Sequence, residues 1–269
     1  MKKENSIERI APKTLEWDRY IGNHMSRYKF ALDQILKQEN KKRILDIACG
    51  VGYGTNYLAQ HLTTSQFYGV DISNDALTIA RNEFKLENIE FVLDDCTNPN
   101  SQIKEFQYDI IVSFETLEHL KNSNGFLEFV HSSLAPNGIF IVSTPNRFVT
   151  SPNGLEWDFH EVEYSPYEFD KVLSSVNFKS KKFFAQEKSA LGEFKSQIIG
   201  ELNKIKSNPF FRFGRFLQII KGSYVKEELF ENSADYEIKE QELEYLELRG
   251  LKGPDVLIAI CESDNTYIK

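Results

Sequence analysis

Cysteine is scarce in this sequence, and so are positive charge and long apolar runs. The three cysteines, Cys49, Cys96 and Cys261, form no CxxC pair and lack zinc-ligand spacing, so we expect small buried hydrophobes rather than disulfide or metal chemistry. No stretch approaches the roughly 18 apolar residues that span a bilayer, and the polar start, residues 1–9, does not resemble a secretion signal. We therefore expect a cytoplasmic protein without stable membrane insertion.

Basic residues are outnumbered by acidic ones. The sequence has 32 Lys and Arg against 40 Asp and Glu, which gives a formal net charge of -8 and a pI of about 5.3. This balance argues against nucleic acid as a partner, because binding to phosphates favours a basic face. Hydrophobic residues make up 41% of the 269 residues, which is typical of a packed globular chain. The length fits one large α/β domain with an elaboration, or two small domains.

Short apolar runs alternate with amphipathic stretches from residue 42 onward. This alternation indicates βαβ units and a mostly parallel sheet. The predicted strands are residues 43–47, 66–70, 90–93, 108–113, 138–143, 178–185 and 256–261. The sequence therefore predicts an α/β fold with a seven-stranded, mostly parallel sheet and helices on both faces.

The most informative segment is residues 44–54, ILDIACGVGYG, in which an apolar strand enters a glycine-rich turn and then a helix. Gly50 and Gly52 remove side chains where the backbone turns sharply, and they allow a ligand to approach closely. Asp46 lies at the carboxyl end of the strand, where open α/β sheets bind ligands. Taken alone, the turn is compatible with a nucleotide site or with a simple tight turn.

Acidic residues at the ends of the next two strands sharpen this prediction. Asp71 follows the turn by about 20 residues, where a carboxylate can accept hydrogen bonds from both ribose hydroxyls. Asp95, at the end of the third strand, is placed to contact an adenine amino group. Either acid alone could be a helix N-cap, but acids at three strand ends favour a nucleoside ligand. A dinucleotide fingerprint would need glycine where Thr55 stands, which disfavours an oxidoreductase.

These segments resemble class I S-adenosylmethionine (SAM)-dependent methyltransferases. Residues 46–54 are similar to the family's first motif, Asp71 and Asp95 to its ribose- and adenine-contacting acids, and 138–146 to its fifth strand. The resemblance covers residues 42–185 and the last strand, and it implies a Rossmann-like fold with SAM as cofactor and S-adenosyl-L-homocysteine as product. The implied cofactor-binding residues are Tyr28, Asp46, Ala48, Gly50, Gly52, Asp71, Ile72, Asp95, Cys96, Ser113 and Glu115. Since the many acidic residues show no recognisable ligand spacing, we expect no metal.

The reaction site is expected just after the fourth strand, in residues 113–120. Methyl transfer to a hydroxyl needs an acceptor in line with the sulfonium and usually a base. In the resembled family, the matching E-x-x-E-H stretch lines the cofactor pocket, so Glu115 is expected to orient the methionine end of the cofactor. His119 is the first candidate for the base, with a supporting histidine at a helix start as the alternative. His160 is the second candidate, with a structural histidine as its alternative.

Four residues are expected to bind the acceptor, and they are His24, Arg27, Asn146 and Arg147. Arg27 would suit an anionic group such as a nucleotide diphosphate, although a packing role is equally open for Arg27 and for Tyr28. Asn146 could equally form a turn. His61 and His131 are predicted to be structural or solvent-facing.

A subgroup of bacterial methyltransferases from surface-glycan and nucleotide-sugar gene sets is similar to this chain at residues 8–12, 24–28, 113–115, 144–146 and 160–163. This resemblance implies methylation of a hydroxyl on a sugar or nucleotide-sugar, in surface-glycan or secondary-metabolite biosynthesis. Two alternatives stay open. One is N-methylation of an amino sugar or carboxyl methylation of a small metabolite, and the other is a non-catalytic SAM-binding protein.

Three domains are predicted along the chain. Residues 1–40 form an N-terminal helical cap, residues 41–185 and 255–269 form the core, and residues 186–254 form a helical insertion that is too long to be a structureless loop. Within the insertion, the aromatic and basic segment 209–221 has three interpretations: a lid over the acceptor, a contact in a homodimer, or a membrane-surface contact. The acidic stretch 226–248 predicts a solvated helix face or a mobile loop.

Overall fold

The computed structural model describes residues 15–38, 43–100, 102–155, 159–189, 192–193 and 236–264, with side chains in the first helix from residue 22 onward. These residues contain an eight-stranded sheet flanked by helices, so the prediction of an α/β fold is confirmed. In this part of the chain, no helix is long and apolar enough to cross a membrane. The aromatic segment 209–221 lies outside the described residues.

The strands are β1 Arg43–Ile47, β2 Gln66–Asp71, β3 Ile89–Leu93, β4 Tyr108–Phe114, β5 Leu134–Pro145, β6 Phe178–Lys188, β7 Tyr236–Glu240 and β8 Val256–Ser263. The described helices are α1 Leu15–Leu36, α2 Tyr53–His61, α3 Asn74–Glu83, α4 Ser123–Ser133, α5 Arg147–Thr150, α6 Pro166–Leu173 and α7 Leu243–Arg249. Short 3-10 helices occur at Gln102–Glu105, Leu117–His119 and Gly250–Lys252.

The strand order is β3-β2-β1-β4-β5-β8-β6-β7. β1 pairs in parallel with β2 and β4, β2 pairs in parallel with β3, and β4 pairs in parallel with β5. β8 runs antiparallel to both β5 and β6. The order reverses between β1 and β4, and in open α/β sheets ligands bind outside the carboxyl ends of the strands at such a switch point. The fold therefore directs attention to the segments that follow β1, β2, β3 and β4.

The sheet has one strand more than the seven that the sequence predicts. β7 lies in the acidic stretch 226–248, so the prediction of a helix face or loop does not hold for residues 236–240. Ile238 to Glu240 are half-buried or exposed, and the strand joins the edge of the sheet beside β6. Such an edge strand carries no apolar run, and the sequence pattern therefore did not indicate it.

Apolar side chains are buried on both faces of the sheet. Successive residues of a strand point to opposite faces, and in β1 Leu45 and Ile47 join one core whereas Ile44 joins the other. The first core includes residues of α4 and α6, namely Phe126, Leu127, Val130, Phe169 and Leu173. The second core includes residues of α1 and α2, namely Ala31, Leu32, Ile35, Leu58 and Ala59. The prediction of helices on both faces is thus confirmed.

Local sequence accounts for two helix starts that border the strand ends. The Ser73 side chain caps α3 by accepting a hydrogen bond from the Ala76 N–H. At α6, Ser165 and Glu168 form a reciprocal capping box, and Pro166 occupies the first turn. These caps fix where the chain leaves the sheet edge and enters a helix.

The chain divides into two compact units. Among the described residues, the larger unit contains 27–186 and 238–264, and the smaller contains 15–26, 187–189, 192–193 and 236–237. The second half of α1 belongs to the larger unit, since Ile35 is fully buried in a core that it shares with β1.

The smaller unit is described over few residues. Within it the Ser26 hydroxyl donates to the Asn23 carbonyl at 2.6 Å, and the Gly192 N–H donates to the Ser189 hydroxyl at 3.2 Å. The cap at 1–40 and the insertion at 186–254 stay predictions as domains.

Candidate active site

The turn after β1 has a left-handed backbone, and one side of this turn is open to a ligand. Ala48, Gly50 and Gly52 have φ angles of 58°, 56° and 80°. A Cβ on Gly52 would lie 2.7 Å from the Phe91 ring, so this glycine is required for packing. A Cβ on Gly50 would meet nothing within 4 Å, and the backbone is therefore approachable from that side.

Asp71 anchors this turn to the end of β2. Its carboxylate accepts hydrogen bonds from the Gly50 N–H at 2.9 Å and from the Ser73 N–H at 2.8 Å. The position fits the predicted role in binding ribose hydroxyls, which stays a prediction.

Asp46 lies beneath the turn and is 1% exposed. Its carboxylate accepts from the Thr55 hydroxyl at 2.6 Å and from the Tyr28 hydroxyl at 3.2 Å to each oxygen. Burial raises the pKa of Asp46 to about 7, against the lowering effect of these two hydrogen bonds. The Tyr28 ring sits so close to α2 that a Cβ on Gly54 would lie 1.9 Å from it. Asp46 and Tyr28, both predicted cofactor residues, thus tie α1, β1 and α2 together under the turn.

Replacing Asp46 with asparagine is expected to flatten the pH dependence of stability. Because the pKa of Asp46 rises on folding from 3.8 to about 7, the folded state holds this proton more tightly. Wild-type stability should therefore fall as the pH rises from 4 to 7 and level off above 7, by on the order of 4 kcal/mol from this group. Urea unfolding of both proteins between pH 4 and 8 measures the difference. Asp75→Asn, at an exposed helix start, is the control; an identical slope in Asp46→Asn and wild type would contradict the prediction.

The segments after β2 and β3 bring an exposed apolar side chain, Ile72, and a carboxylate, Asp95, to this edge of the sheet. Ile72 is 66% exposed directly after Asp71. Asp95 accepts from the Thr97 N–H at 2.8 Å and from the Thr97 hydroxyl at 2.7 Å, which holds its carboxylate in a tight turn. Burial raises the pKa of Cys96 to about 12, so its thiol stays neutral and apolar.

Glu115, at the end of β4, has a strained backbone. Its φ is 52°, and its N–H donates to Ser143. Its carboxylate accepts from the Ser143 hydroxyl at 2.7 Å. Ser113, two residues earlier in the strand, is fully buried. Non-glycine residues in this backbone region cluster at functional sites, which is consistent with the predicted contact between Glu115 and the cofactor.

The structure brings the two predicted base candidates together. The rings of His119 and His160 lie 4.9 Å apart at 73°. His119 Nδ1 is 3.0 Å from the Phe159 carbonyl, and His160 Nδ1 is 2.5 Å from a carboxylate oxygen of Glu163. Glu163 is buried, and it also accepts from the Thr150 hydroxyl at 2.5 Å. We predicted no role for Glu163 from the sequence, although its position three residues after His160 is the feature that could have indicated one.

Glu118 is a second buried carboxylate beside this pair. It is 1% exposed, and its Oε2 accepts from the Thr144 hydroxyl at 3.1 Å. Its Oε1 accepts no hydrogen bond in the described part of the chain and lies 3.8 Å from His119 Nε2. Burial, with the charge of Glu115, raises the pKa of Glu118 well above its usual range. Glu118 was not predicted as a site residue, and only the E-x-x-E-H pattern pointed to it.

Each predicted acceptor residue of the larger unit has a polar partner within the fold. Arg27 is fully buried and donates to the Gln186 side chain at 3.0 Å. Asn146 caps α5 and donates to the Pro254 carbonyl at 2.9 Å, so both ends of its amide serve the turn. Arg147 forms a half-exposed ion pair with Glu168 at 3.0 Å. His24 belongs to the smaller unit. Acceptor binding by these four residues stays a prediction.

The groups at this sheet edge fit SAM. Asp71, Asp95 and Glu115 are all acceptors, which suits the ribose hydroxyls, adenine amino group, ammonium and sulfonium of that molecule. The open side of Gly50 leaves room for a ligand against the backbone.

Comparison with known proteins agrees with this assignment. Residues 38–161 match a family model described as a methyltransferase domain. A probable SAM-dependent methyltransferase of Mycolicibacterium smegmatis is 27% identical over 73% of this chain and 70% of its own length. A malonyl-[acyl-carrier protein] O-methyltransferase of Bacillus cereus is 28% identical over 51% of this chain, and the alignment spans about half of that relative's length.

A solved structure shares the fold. The crystal structure of a SAM-dependent methyltransferase from Archaeoglobus fulgidus superposes with a TM-score of 0.58, at 17% identity, over 93% of this chain and 98% of that one. The strand order of the sheet, the contact of Asp71 with the glycine turn and the match of residues 38–161 to the family model all point to the same class of enzyme. The predictions of a SAM-dependent methyltransferase and of SAM as its cofactor are confirmed, and residues 38–161 carry the methyltransferase domain.

Proposed function

We propose that this chain transfers the methyl group of SAM to a hydroxyl of a small acceptor, a sugar or nucleotide-sugar, and that the His119 and His160 pair removes the hydroxyl proton. The observation that carries the proposal is the contact between His160 Nδ1 and the buried Glu163 carboxylate at 2.5 Å, beside the end of β4. Bound SAM supplies an electrophilic methyl group; the rest of the reaction depends on orienting the acceptor and handling its proton.

The carboxylate of Glu163 sets the chemistry of His160. An Nδ1–H that donates to a carboxylate places the imidazole lone pair on Nε2 and makes that nitrogen more basic. His119 is oriented in the same way by the Phe159 carbonyl at 3.0 Å. Two imidazoles whose Nδ1 atoms are both held by acceptors can present Nε2 to one acceptor hydroxyl.

A second candidate is carboxyl methylation, and the Bacillus cereus relative, named a malonyl-[acyl-carrier protein] O-methyltransferase, favours it. The two candidates differ in their need for a base. A carboxylate acceptor carries no proton at neutral pH, whereas a hydroxyl must lose one. The oriented histidine pair therefore favours the hydroxyl. The choice of a sugar rests on the resemblance of residues 24–28, 144–146 and 160–163 to glycan-associated methyltransferases.

Removing either histidine tests the proposal. His119→Ala and His160→Ala should each lower turnover by about 10²- to 10⁴-fold, because a positioned base contributes this much, while SAM affinity stays within a few-fold of wild type. Release of S-adenosyl-L-homocysteine is measured with a panel of nucleotide-diphosphate sugars and, in parallel, small carboxylic acids. His61→Ala, on the exposed end of α2, is the matched control. Full activity of both variants, or turnover with the carboxylic acids alone, would refute the hydroxyl proposal.

A further inference from the structure

Three potential metal ligands converge at the end of β4. Glu118, His119 and His160 each bring one ligating atom to within 4.8 Å of the other two. Glu118 and His119 come from the 3-10 helix after β4, and His160 comes from the segment before α6. The sequence shows no metal-ligand spacing because the fold, and not a local motif, joins the two parts.

Both histidines are oriented as metal-binding histidines are. A ligating imidazole usually donates its other N–H to a carboxylate, a backbone carbonyl or water, which fixes the tautomer and the ring orientation. Here His160 Nδ1 contacts Glu163 at 2.5 Å, and His119 Nδ1 contacts the Phe159 carbonyl at 3.0 Å. In this tautomer the lone pair that can bind a cation is on Nε2 of each ring.

Glu118 adds an independent observation. Its Oε2 is occupied by Thr144, but its Oε1 is buried and accepts no hydrogen bond in the part of the chain that the structure describes. A buried carboxylate oxygen without a donor is costly. This oxygen lies 3.8 Å from His119 Nε2, on the side of the histidine pair. A cation between them would satisfy it.

We propose that Glu118 Oε1, His119 Nε2 and His160 Nε2 bind one divalent transition-metal ion and leave a coordination position for the acceptor hydroxyl. Two imidazoles and one carboxylate suit Zn²⁺, Co²⁺ or Mn²⁺ better than Mg²⁺ or Ca²⁺, which prefer oxygen ligands. In catalytic zinc sites, three protein ligands of this kind leave a position open.

Metal binding requires the three ligand atoms to move slightly closer together. Zinc lies 2.0–2.1 Å from nitrogen ligands, so tetrahedral ligand atoms are roughly 3.4 Å apart. Glu118 Oε1 and His119 Nε2 are 3.8 Å apart, and the three residues each bring one ligating atom to within 4.8 Å of the others. Closing a separation of 4.8 Å to this spacing corresponds to side-chain movements of about an ångström.

The metal gives the site a second way to ionise the acceptor. A metal held by Glu118, His119 and His160 would lower the pKa of a coordinated acceptor hydroxyl, whose proton would pass to water before its oxygen takes the methyl group from the sulfur of SAM. This catalytic role rests on the proposed function, whereas metal binding itself does not. In the metal-bound protein the histidines act by holding the ion.

Cobalt titration of the full-length protein, stripped with EDTA and without acceptor, tests the site. Calorimetry and visible absorption should show one Co²⁺ per chain, with at least a 100-fold weaker affinity in His160→Ala and in Glu118→Gln. Glu163→Gln should weaken binding by about 10- to 100-fold, as loss of a ligand-orienting group does. His61→Ala and His131→Ala, which remove histidines elsewhere in the chain, should bind like wild type.

Two readouts separate failure of this inference from failure of the proposed function. Thermal melts and SAM titrations show whether each variant folds. If Glu118→Gln does not fold, His160→Ala provides the test of metal binding. No stoichiometric Co²⁺ binding by wild type, or unchanged binding in a folded His160→Ala protein, overturns the metal site and leaves hydroxyl methylation standing. Co²⁺ binding with the expected variant losses establishes the site even if no sugar acceptor is found.

Discussion

Gly54→Ala is expected to destabilise the protein and to weaken SAM binding, although alanine is the better helix former. In an exposed helix this change would stabilise by about 1 kcal/mol. At this position the new Cβ would lie 1.9 Å from the Tyr28 ring, which is itself buried against Tyr53 and Phe114. Overpacking of this kind typically costs about 1–3 kcal/mol, so the clash should dominate.

The clash also disturbs the cofactor turn. If the Tyr28 ring moves, its hydroxyl leaves Asp46, and the support of the turn after β1 is lost. Urea unfolding should show a net loss of about 2 kcal/mol, and calorimetry should show SAM affinity at least 10-fold lower.

Tyr28→Ala supplies the control, because it vacates the space that the new Cβ at position 54 would need. In that background Gly54→Ala should be neutral or stabilising, so the sign of its effect should change between the two backgrounds. A stabilising Gly54→Ala in the wild-type background would show that the ring moves aside without cost.

The parts of the fold that sequence predicts are those with a strong local signal. The seven predicted strands all occur, and several of them, such as β1, β4 and β8, are the short buried apolar runs that indicate a strand in the sequence. The glycine turn was also predictable, since the left-handed backbone at Gly50 and Gly52 restricts the residue type. β7 was not predicted, because an edge strand does not require a continuous apolar run.

The candidate site divides in the same way. The location of Asp71 at the glycine turn was predictable, because this residue ends a recognisable strand about 20 residues after the turn. The contact between His119 and His160, and the burial of Glu163 behind it, depend on how the segment before α6 folds back onto β4, and no local pattern encodes that. Asn146 is a further case, because a polar residue at a strand end suits both of the predicted roles, binding and turn formation. Its amide caps α5, and acceptor binding stays a prediction.

Asp71→Ala is expected to abolish measurable SAM binding while the protein stays folded. The Asp71 carboxylate holds the Gly50 and Ser73 amides at 2.9 and 2.8 Å, and we predict that it also accepts hydrogen bonds from the ribose hydroxyls. A hydrogen bond to a charged group contributes about 1.5–3 kcal/mol, so the loss of two ribose contacts should weaken binding by about 10²- to 10⁴-fold. Loss of the turn's anchor adds to this effect.

Calorimetric titration with SAM, its demethylated product and NAD measures this loss directly. Asp75→Ala removes a neighbouring acid from the exposed first turn of α3 without touching the glycine turn, and it should bind SAM like wild type. Asp71→Ala with wild-type SAM affinity would remove Asp71 from the cofactor site. If wild type bound NAD and not SAM, the acids at the strand ends would have to serve a different ligand, and the role of the two histidines in methyl transfer would lose its basis.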